Sequence, residues 1–439
     1  MKYSVITFGC RVNQADSLGF EESLLARGAT AASPEDADVV IVNTCSVTSS
    51  ADQGARQTIR RIARTNPTAR IVVTGCYATR RPDEVSALPN VIRVIPNQEK
   101  DRLAGYLTTA ERFGNGDGGC GAAIEPGVAG RTAFTLRVQT GCDERCSYCI
   151  IPSTRGLPRS LPLETIAAEI ARVAAAGFKE VTLTGVHLGS YGSDLTPPAS
   201  LRDLLASVTA EAERLRSRPR DSEVAADAWG WGPTRQKNHA DLLFRISSLE
   251  PMDCSPEIVQ LVAEHDCFAA HFHLPLQHAS DRLLRAMRRP YTFAQYSTLV
   301  DGIRTRIPHA AIGSDIIVGF PGETEEDVVQ LLGYLEASPL THLHVFPYSD
   351  RPGTEATSLA GKVSGELVRD RARRVREVST RLSARFRANQ VGRVFRALTI
   401  DDGSLAVTGN YQKLRIPPGL PRNQWIQVRV GEGTNWLVG

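Results

Sequence analysis

Apolar and polar residues alternate with two different periods along the chain, and these periods predict strands and helices. In the first part of the chain, short β-branched apolar runs cover residues 4–9, 39–44 and 70–75. Helix-like stretches cover residues 13–27 and 49–64 between them. Because strands that alternate with helices pair in parallel, we predict a parallel βαβ sheet for this part.

One cysteine directly follows each of these three predicted strands: Cys10, Cys45 and Cys76. The carboxyl ends of neighbouring parallel strands form the ligand crevice of such a sheet, so the three thiols are predicted to converge on one site. Three coincident positions favour a three-thiolate metal cluster. Buried structural thiols are the alternative.

The alternation of strands and helices continues from residue 132 to residue 349. Six strand-like runs are separated by helical patterns: residues 132–139, 180–185, 242–250, 271–277, 312–320 and 342–346. Six parallel strands predict an open or partial (β/α)6 barrel with its chemistry at the carboxyl ends of the strands. The C-terminal residues return to short strands with Gly and Pro turns, at residues 393–400, 409–416 and 425–430, which predict a small all-β barrel.

These patterns divide the predicted α/β chain into four parts. An N-terminal domain spans residues 1–113, a glycine-rich linker 114–131, the barrel 132–390 and the C-terminal β domain 391–439. An insertion at about 214–240 carries tryptophans and basic residues. We interpret it as a surface loop, with stacking on RNA bases as the alternative.

Composition narrows the class of protein. The 439 residues are 42% hydrophobic, enough for several buried cores, and no apolar run reaches the length of a membrane helix. The chain opens directly into a strand, so we expect a cytoplasmic protein without a membrane partner. Nine cysteines in that compartment favour metal binding over disulfides. The net charge of +3 neither requires nor excludes nucleic acid as a partner. The arginine-rich residues 369–387 suit either a solvated helix face or contact with phosphate.

The densest cysteine pattern lies on the loop after the first barrel strand. Cys142, Cys146 and Cys149 fall within eight residues, with no neighbouring histidine or fourth cysteine. This is one ligand fewer than a structural zinc site needs, although a zinc knuckle is the alternative. Iron–sulfur clusters are normally held by four thiolates, so three cysteines leave one iron open for chemistry.

This C-x-x-x-C-x-aromatic-C spacing resembles the signature of the radical S-adenosylmethionine (SAM) enzymes, and residues 150–156 resemble their methylthiotransferase branch. The resemblance covers essentially the whole chain in the order cluster domain, radical SAM barrel and RNA-binding TRAM domain. It implies SAM and two [4Fe–4S] clusters as cofactors. The radical SAM cluster would be held by Cys142, Cys146 and Cys149, and the auxiliary cluster by Cys10, Cys45 and Cys76.

The same resemblance implies further site residues. Those expected to contact SAM are Tyr148, Gly185, His187, Ser248, Glu250 and Gly319. Those expected to contact RNA are Arg288, Arg289, Arg351, Tyr411, Lys413 and Arg415, of which the first three have salt bridges within the protein as their alternative. No catalytic residue is assigned beyond the clusters, because an unactivated C–H bond needs no general base.

Residues 146–152 and 183–192 are most similar to the tRNA enzymes that act on N6-threonylcarbamoyladenosine. This resemblance implies that one SAM methylates sulfur at the auxiliary cluster. A second SAM yields the 5′-deoxyadenosyl radical that removes hydrogen from C2 of the adenine at position 37 in the anticodon stem-loop, where methylthio is then transferred. A reducing donor such as a flavodoxin or ferredoxin is expected.

Three alternatives stay open. Within the family they are methylthiolation of N6-isopentenyladenosine in tRNA and of an aspartate in a ribosomal protein. The alternative from a different class is a non-catalytic iron–sulfur protein that binds RNA or senses redox state.

Overall fold

The computed structural model describes residues 1–107, 126, 132–217, 242–432 and 436–438. The predicted linker, apart from residue 126, lies outside the described residues, and so do residues 218–240 of the predicted insertion.

The N-terminal residues form a five-stranded parallel sheet with the strand order β2-β1-β3-β4-β5. The central strands are buried on both faces by helices, which explains why they are continuously apolar. The predicted parallel βαβ sheet is confirmed. Its elements are β1 Lys2–Thr7, α1 Arg11–Leu25, β2 Thr30–Ala31, β3 Val39–Thr44, α2 Ser49–Thr65, β4 Arg70–Gly75, α3 Cys76–Arg80, α4 Pro82–Ser86, β5 Val91–Ile95 and α5 Leu103–Leu107.

The central residues form a partial barrel from two three-stranded parallel sheets. The strand orders are β10-β9-β6 and β11-β12-β13, and parallel bridges from Phe244 to Phe268 and from Ser248 to His273 join the sheets. The elements are β6 Phe134–Arg137, β7 Gln139–Thr140, α6 Ile151–Arg155, β8 Arg159–Ser160, α7 Leu163–Ala175, β9 Glu180–Thr184, α8 Leu201–Ser217, β10 Leu243–Ile246, α9 Pro256–Glu264, β11 His271–His273, α10 Asp281–Ala286, α11 Phe293–Arg306, β12 Ala311–Val318, α12 Glu325–Ala337, β13 His342–Pro347 and α13 Gly365–Ala388.

The six predicted parallel strands of the barrel are therefore confirmed, and three of them, β6, β10 and β11, are clearly shorter than expected. The strand predicted for residues 271–277 ends at His273, and Pro275, which has no backbone N–H to donate to a neighbouring strand, lies just beyond that end. The outward residues of the strands join the barrel helices in one large apolar core.

The last part of the chain is a five-stranded antiparallel sheet with the order β16-β15-β14-β17-β18. The strand predicted for residues 409–416 is shorter in the structure, because Tyr411 lies in a turn with a positive φ of 64°. The strands are β14 Val394–Ile400, β15 Leu405–Thr408, β16 Lys413–Arg415, β17 Trp425–Arg429 and β18 Trp436–Val438.

The arginine-rich residues 369–387 lie within α13. Arg371 is buried against Glu323, and Arg374 and Arg381 reach carboxylates of α12, Glu325 and Glu336. Much of this run is thus engaged with a neighbouring helix. Within the described residues, no helix is both long and apolar enough to cross a membrane.

Candidate metal-cluster site

The three N-terminal cysteines lie together at the carboxyl edge of the first sheet. Cys10 directly precedes α1, Cys45 follows β3, and Cys76 is the first residue of α3. Burial and, to a lesser extent, the negative charges of the neighbouring Cys10 and Cys76 raise the pKa of Cys45 to about 12. The ends of β1, β3 and β4 therefore converge in the structure, as the sequence predicted.

Two glycines, Gly9 after β1 and Gly75 at the end of β4, allow these strand ends to approach the end of β3, where Cys45 lies. Gly9 has a φ of +93°, and a Cβ built on it would lie 2.4 Å from Cβ of Cys45. Gly75 has a φ of +96°, and its Cβ would lie 2.2 Å from the carbonyl oxygen of Thr44. Both positions exclude other side chains, for lack of space as well as for backbone conformation.

N–H groups surround this group of thiols. The side-chain amide of Asn97 approaches Sγ of Cys76 at 3.7 Å and donates to the Thr154 carbonyl at 3.0 Å. The Arg155 guanidinium, although buried, stays protonated because the negative charges of Cys76, Asp16 and Cys10 raise its pKa. Positive charge and N–H donors beside three thiols suit an anionic thiolate cluster.

The second group, Cys142, Cys146 and Cys149, lies on the loop between β7 and α6 and is half-buried. Burial and, to a lesser extent, the negative charges of Cys146 and Cys142 raise the pKa of Cys149 to about 12. The free Cys149 thiol therefore holds its proton at neutral pH, and a bound metal would replace that proton. All eight cysteines that the structure describes are free, and Cys254 and Cys267 are buried thiols.

An ion pair supports the Cys146 thiol. Nη1 of Arg289 donates to Sγ of Cys146 at 3.1 Å, and the same guanidinium pairs with Glu250. The Arg289 side chain is 2% exposed, so its charge is directed at the cysteine loop and away from solvent.

His187 lies on the other side of the loop. Burial opposes its protonation, but the Asp253 carboxylate, 2.9 Å from Nε2, and the nearby Cys142 outweigh burial and raise its pKa to about 10. The loop that carries His187 is held by Gln139, whose side-chain oxygen accepts from the N–H groups of Val186 and His187 at 2.9 and 3.0 Å.

The other predicted SAM contacts differ in what surrounds them. Tyr148 packs edge-on against Phe320, with ring centroids 6.5 Å apart. Gly185 packs closely on Leu188 and Gln139, and Ser248 is exposed at the end of β10. Gly319 packs against Val368 of α13, where a Cβ would lie 2.4 Å from a methyl group. Close packing against α13 and the backbone φ of +78° together account for glycine at position 319.

The predicted RNA contacts also divide. Arg289 and Arg351 are buried and ion-paired, Arg351 with Asp52 at 3.3 Å, which is the salt-bridge alternative stated above. Both charges are needed inside the protein, so we propose no phosphate contact for either. The remaining four are at least partly exposed: Arg288, Tyr411, Lys413 and Arg415. Of these, Arg288 pairs with Glu355.

Sequence patterns missed the carboxylate that joins the first sheet to the barrel. Asp16 of α1 is fully buried and pairs with three cations, Lys100, Arg137 and Arg155. Arg137 belongs to β6 and Arg155 to α6, directly after the Cys149 loop. The four residues are spread over 139 positions of the chain, and the only local signal is an acidic residue within the apolar face of α1.

A histidine-rich wall lines the inner face of β11, β12 and β13, and sequence analysis missed it too. The Asp315 carboxylate lies 2.8 Å from Nε2 of His273 and 3.1 Å from Nδ1 of His344. Their ligand atoms all lie within 4.8 Å of one another, a spacing compatible with a metal ion. Direct hydrogen bonds between the carboxylate and both rings account for the same spacing. We therefore assign no metal to this wall.

Comparisons with known proteins agree with the two-part arrangement of the cysteines. Residues 2–96 match the family described as "Uncharacterized protein family UPF0004", and residues 136–335 match the radical SAM superfamily. The threonylcarbamoyladenosine tRNA methylthiotransferase MtaB of Aquifex aeolicus is 34% identical over 94% of this chain and 95% of its own length. The Bacillus subtilis MtaB is 30% identical over 93% and 88%.

Relatives with another named substrate are nearly as similar. The tRNA-2-methylthio-N(6)-dimethylallyladenosine synthase of a Mycobacterium species is 32% identical over 98% of this chain and 85% of its own length. Among solved structures, the radical SAM methyltransferase TsrM of Kitasatospora setae matches with a TM-score of 0.52 over 78% of this chain and 72% of that chain. At 16% identity, that match shows a shared fold.

Proposed function

Because this chain belongs to the radical SAM methylthiotransferases, in the branch of MtaB, we propose that it methylthiolates C2 of N6-threonylcarbamoyladenosine at tRNA position 37. It is a tRNA methylthiotransferase with SAM and a [4Fe–4S] cluster as cofactors. The observation that carries the two-cluster part of this proposal is the presence, among the described residues, of two separate groups of three free thiols.

The residues of both groups fit an iron–sulfur cluster. Each offers three soft sulfur ligands with N–H donors close to a sulfur atom, Arg289 at one group and Asn97 at the other. We propose that Cys142, Cys146 and Cys149 hold the radical SAM cluster and that Cys10, Cys45 and Cys76 hold the auxiliary cluster. When bound, these groups supply the electron that cleaves SAM to a 5′-deoxyadenosyl radical and the sulfur that becomes methylthio, at a cost of two SAM.

The chain's own residues orient the reactants. Arg289 holds Cys146 and is itself held by Glu250, which is therefore occupied by an internal ion pair. We propose that SAM lies against Tyr148, Gly185, His187 and Ser248. Gly319 contributes by packing α13 against the barrel.

We propose that tRNA lies across the C-terminal sheet. Lys413 and Arg415 alternate with buried Leu414 on β16, so both point to the same outer face. Arg288, half exposed near the Cys146 loop, is a further candidate for a phosphate contact. A flavodoxin- or ferredoxin-like protein would supply the electron.

Two cysteine substitutions test the two-cluster proposal. In anaerobically purified protein, we expect Cys146→Ala to abolish release of 5′-deoxyadenosine from SAM. We expect Cys45→Ala to retain that release and to lose methylthio transfer. Cys254→Ala, which removes a buried thiol of the barrel core, is the matched control and should keep both.

If the Cys45→Ala protein still made methylthio-tRNA, the auxiliary cluster would not be held as proposed. If wild-type protein with intact iron and sulfide released no 5′-deoxyadenosine, the non-catalytic alternative would be favoured.

The nucleoside is identified by mass spectrometry of tRNA from a deletion strain. We expect loss of 2-methylthio-N6-threonylcarbamoyladenosine and its return with the intact gene. Loss of the isopentenyl form instead, to which relatives at 32% identity point, would overturn the substrate assignment. Unchanged tRNA with a changed ribosomal-protein aspartate would overturn it as well.

A further inference from the structure

Arg11 is a cation beside the N-terminal thiols whose charge has no carboxylate partner within ion-pair distance among the described residues. It directly follows Cys10 and is partly buried. Its Nη2 donates to the hydroxyl of Tyr411 at 2.8 Å, so the guanidinium reaches the turn before β16 of the C-terminal sheet. Buried arginines elsewhere, such as Arg155, Arg245 and Arg289, each pair with a carboxylate.

The groups around Arg11 come from the C-terminal sheet and from three strands of the barrel. Tyr411 packs on the His271 ring with centroids 5.1 Å apart and lies under the Arg245 guanidinium at 4.5 Å. Arg11 is close enough to His344 for its positive charge to oppose protonation of that ring, yet the hydrogen bond to Asp315 keeps the pKa of His344 raised. The His344 side chain is 58% exposed.

This wall leads from Arg11 to the radical SAM loop. Along β13, His342 and His344 are followed on the same face by Phe346, and Phe346 packs in the same apolar cluster as Tyr148 of that loop. Arg11 is joined to Cys10 at the other end. A base that reacts between the two groups of thiols would therefore lie close to this wall.

We propose that Arg11, supported by His344, binds the carboxylate of the N6-threonylcarbamoyl group and so selects this substrate; the inference rests on the proposed function. A guanidinium pairs with a carboxylate through two parallel hydrogen bonds, which fixes orientation as well as charge. Asp315 is already occupied by His273 and His344, so it does not compete for the guanidinium.

An isopentenyl substituent offers no charge and no hydrogen-bond acceptor. It would cover the Arg11 guanidinium without replacing the water lost from it, and a desolvated, unpaired charge is costly. Arg11 thus favours one hypermodified adenosine and disfavours the other.

Binding of short anticodon stem-loops to the holoprotein tests the inference. Three RNAs differ only at position 37: N6-threonylcarbamoyladenosine, its methyl ester, and unmodified adenosine. For wild type, we expect roughly tenfold to hundredfold tighter binding of the acid than of its ester, as for a hydrogen-bonded ion pair. We expect Arg11→Gln to lose this difference, and Arg11→Lys to keep part of it.

Arg60→Gln is the matched control, because Arg60 is an exposed arginine on α2. Arg60→Gln removes one positive charge, as Arg11→Gln does, but it should leave the ratio of the affinities for the acid and the ester stem-loops unchanged. Iron and sulfide are measured in every variant, so that an effect of Arg11 on the neighbouring Cys10 is not mistaken for lost recognition.

Two failures are distinguishable. If wild type methylthiolates the threonylcarbamoyl stem-loop and Arg11→Gln still prefers the acid to the ester, the inference on Arg11 is wrong and the proposed function stands. If wild type methylthiolates only an isopentenyladenosine stem-loop, the proposed substrate is wrong, and the inference is overturned with it.

Discussion

At the scale of single residues, the auxiliary site depends on positions where a side chain is missing. Gly9 is such a position, since its backbone conformation and the closeness of Cys45 both exclude a Cβ. The cysteines alone therefore do not define the site. A sequence that kept Cys10, Cys45 and Cys76 and changed the glycine beside them would have its thiols displaced.

We expect Gly9→Ala to lose iron at the auxiliary site and to lower stability. The left-handed backbone alone costs about 1–2 kcal/mol, and the contact with Cβ of Cys45 adds to it. Iron per chain and denaturant unfolding measure the two effects. Gly19→Ala is the control: Gly19 lies in α1 with no atom within 4 Å of its missing Cβ, so alanine should stabilise the helix by roughly 0.5–1 kcal/mol. Equal behaviour of the two variants would contradict this account of Gly9.

At the scale of elements, the short loops after the strands are held by the helices that follow them. Helix α2 begins after Thr48, whose hydroxyl accepts from the N–H of Ala51 at 3.2 Å. In its first turn Asp52 accepts from Ser46 at 2.7 Å, next to Cys45, and pairs with Arg80 at 2.5 Å. The start of α2 thus positions the Cys45 loop.

We expect Thr48→Ala to destabilise the protein by about 0.5–2 kcal/mol, because the first turn of α2 loses its cap. The start of α2 should fray, and backbone N–H groups near Cys45 should exchange hydrogen faster, as mass spectrometry of peptides would show. Thr48→Ser keeps the hydroxyl and should behave as wild type. No change in exchange with alanine would mean that Asp52 alone holds the loop.

At the scale of the whole molecule, one buried carboxylate joins the first sheet to the barrel. Burial favours the protonated form of Asp16, but the charges of Lys100, Arg137 and Arg155 outweigh it, and the pKa of Asp16 lies below its usual value. Removing the Asp16 carboxylate would leave Lys100, Arg137 and Arg155 at the junction of the first sheet and the barrel without this negative partner. Breaking a buried pair in this way typically costs about 3–5 kcal/mol.

We therefore expect Asp16→Asn to lower the unfolding free energy by about that amount. Asp101→Asn is the control, because Asp101 reaches the same Arg137 at 3.3 Å with a 74% exposed side chain. Such exposed pairs are worth at most about 1 kcal/mol. Similar losses in both variants would show that the junction does not depend on the buried carboxylate.

The same carboxylate predicts a pH dependence. Since its folded-state pKa is lowered, its stabilising effect is complete above the ordinary aspartate pKa of about 3.9 and is lost as the pH falls through the folded value. We expect the stability difference between wild type and Asp16→Asn to be present at about pH 5 and to shrink in more acidic solution. A difference that vanished near pH 6 would contradict the lowered pKa.

The sequence by itself determined which residues stand at strand ends, because periodicity and strand breakers act locally. The parallel sheet, the six barrel strands and the positions of Cys10, Cys45 and Cys76 after β1, β3 and β4 all followed from spacing alone. Strand lengths were less certain. Tyr411 left its predicted strand through a turn conformation that the local pattern did not reveal.

Only the tertiary structure decided which charges meet. The family resemblance predicted that Arg289 makes a phosphate contact or a salt bridge. Packing directs it to Glu250 and Cys146, 39 and 143 positions away. Asp16 gives only a weak local signal, an acidic residue within the apolar face of α1, and Arg155 and the histidine wall around Asp315 carry no local pattern. The physical reason is that an ion pair depends on distance in space and on lost contact with water, and both are set when separate units of the chain pack together.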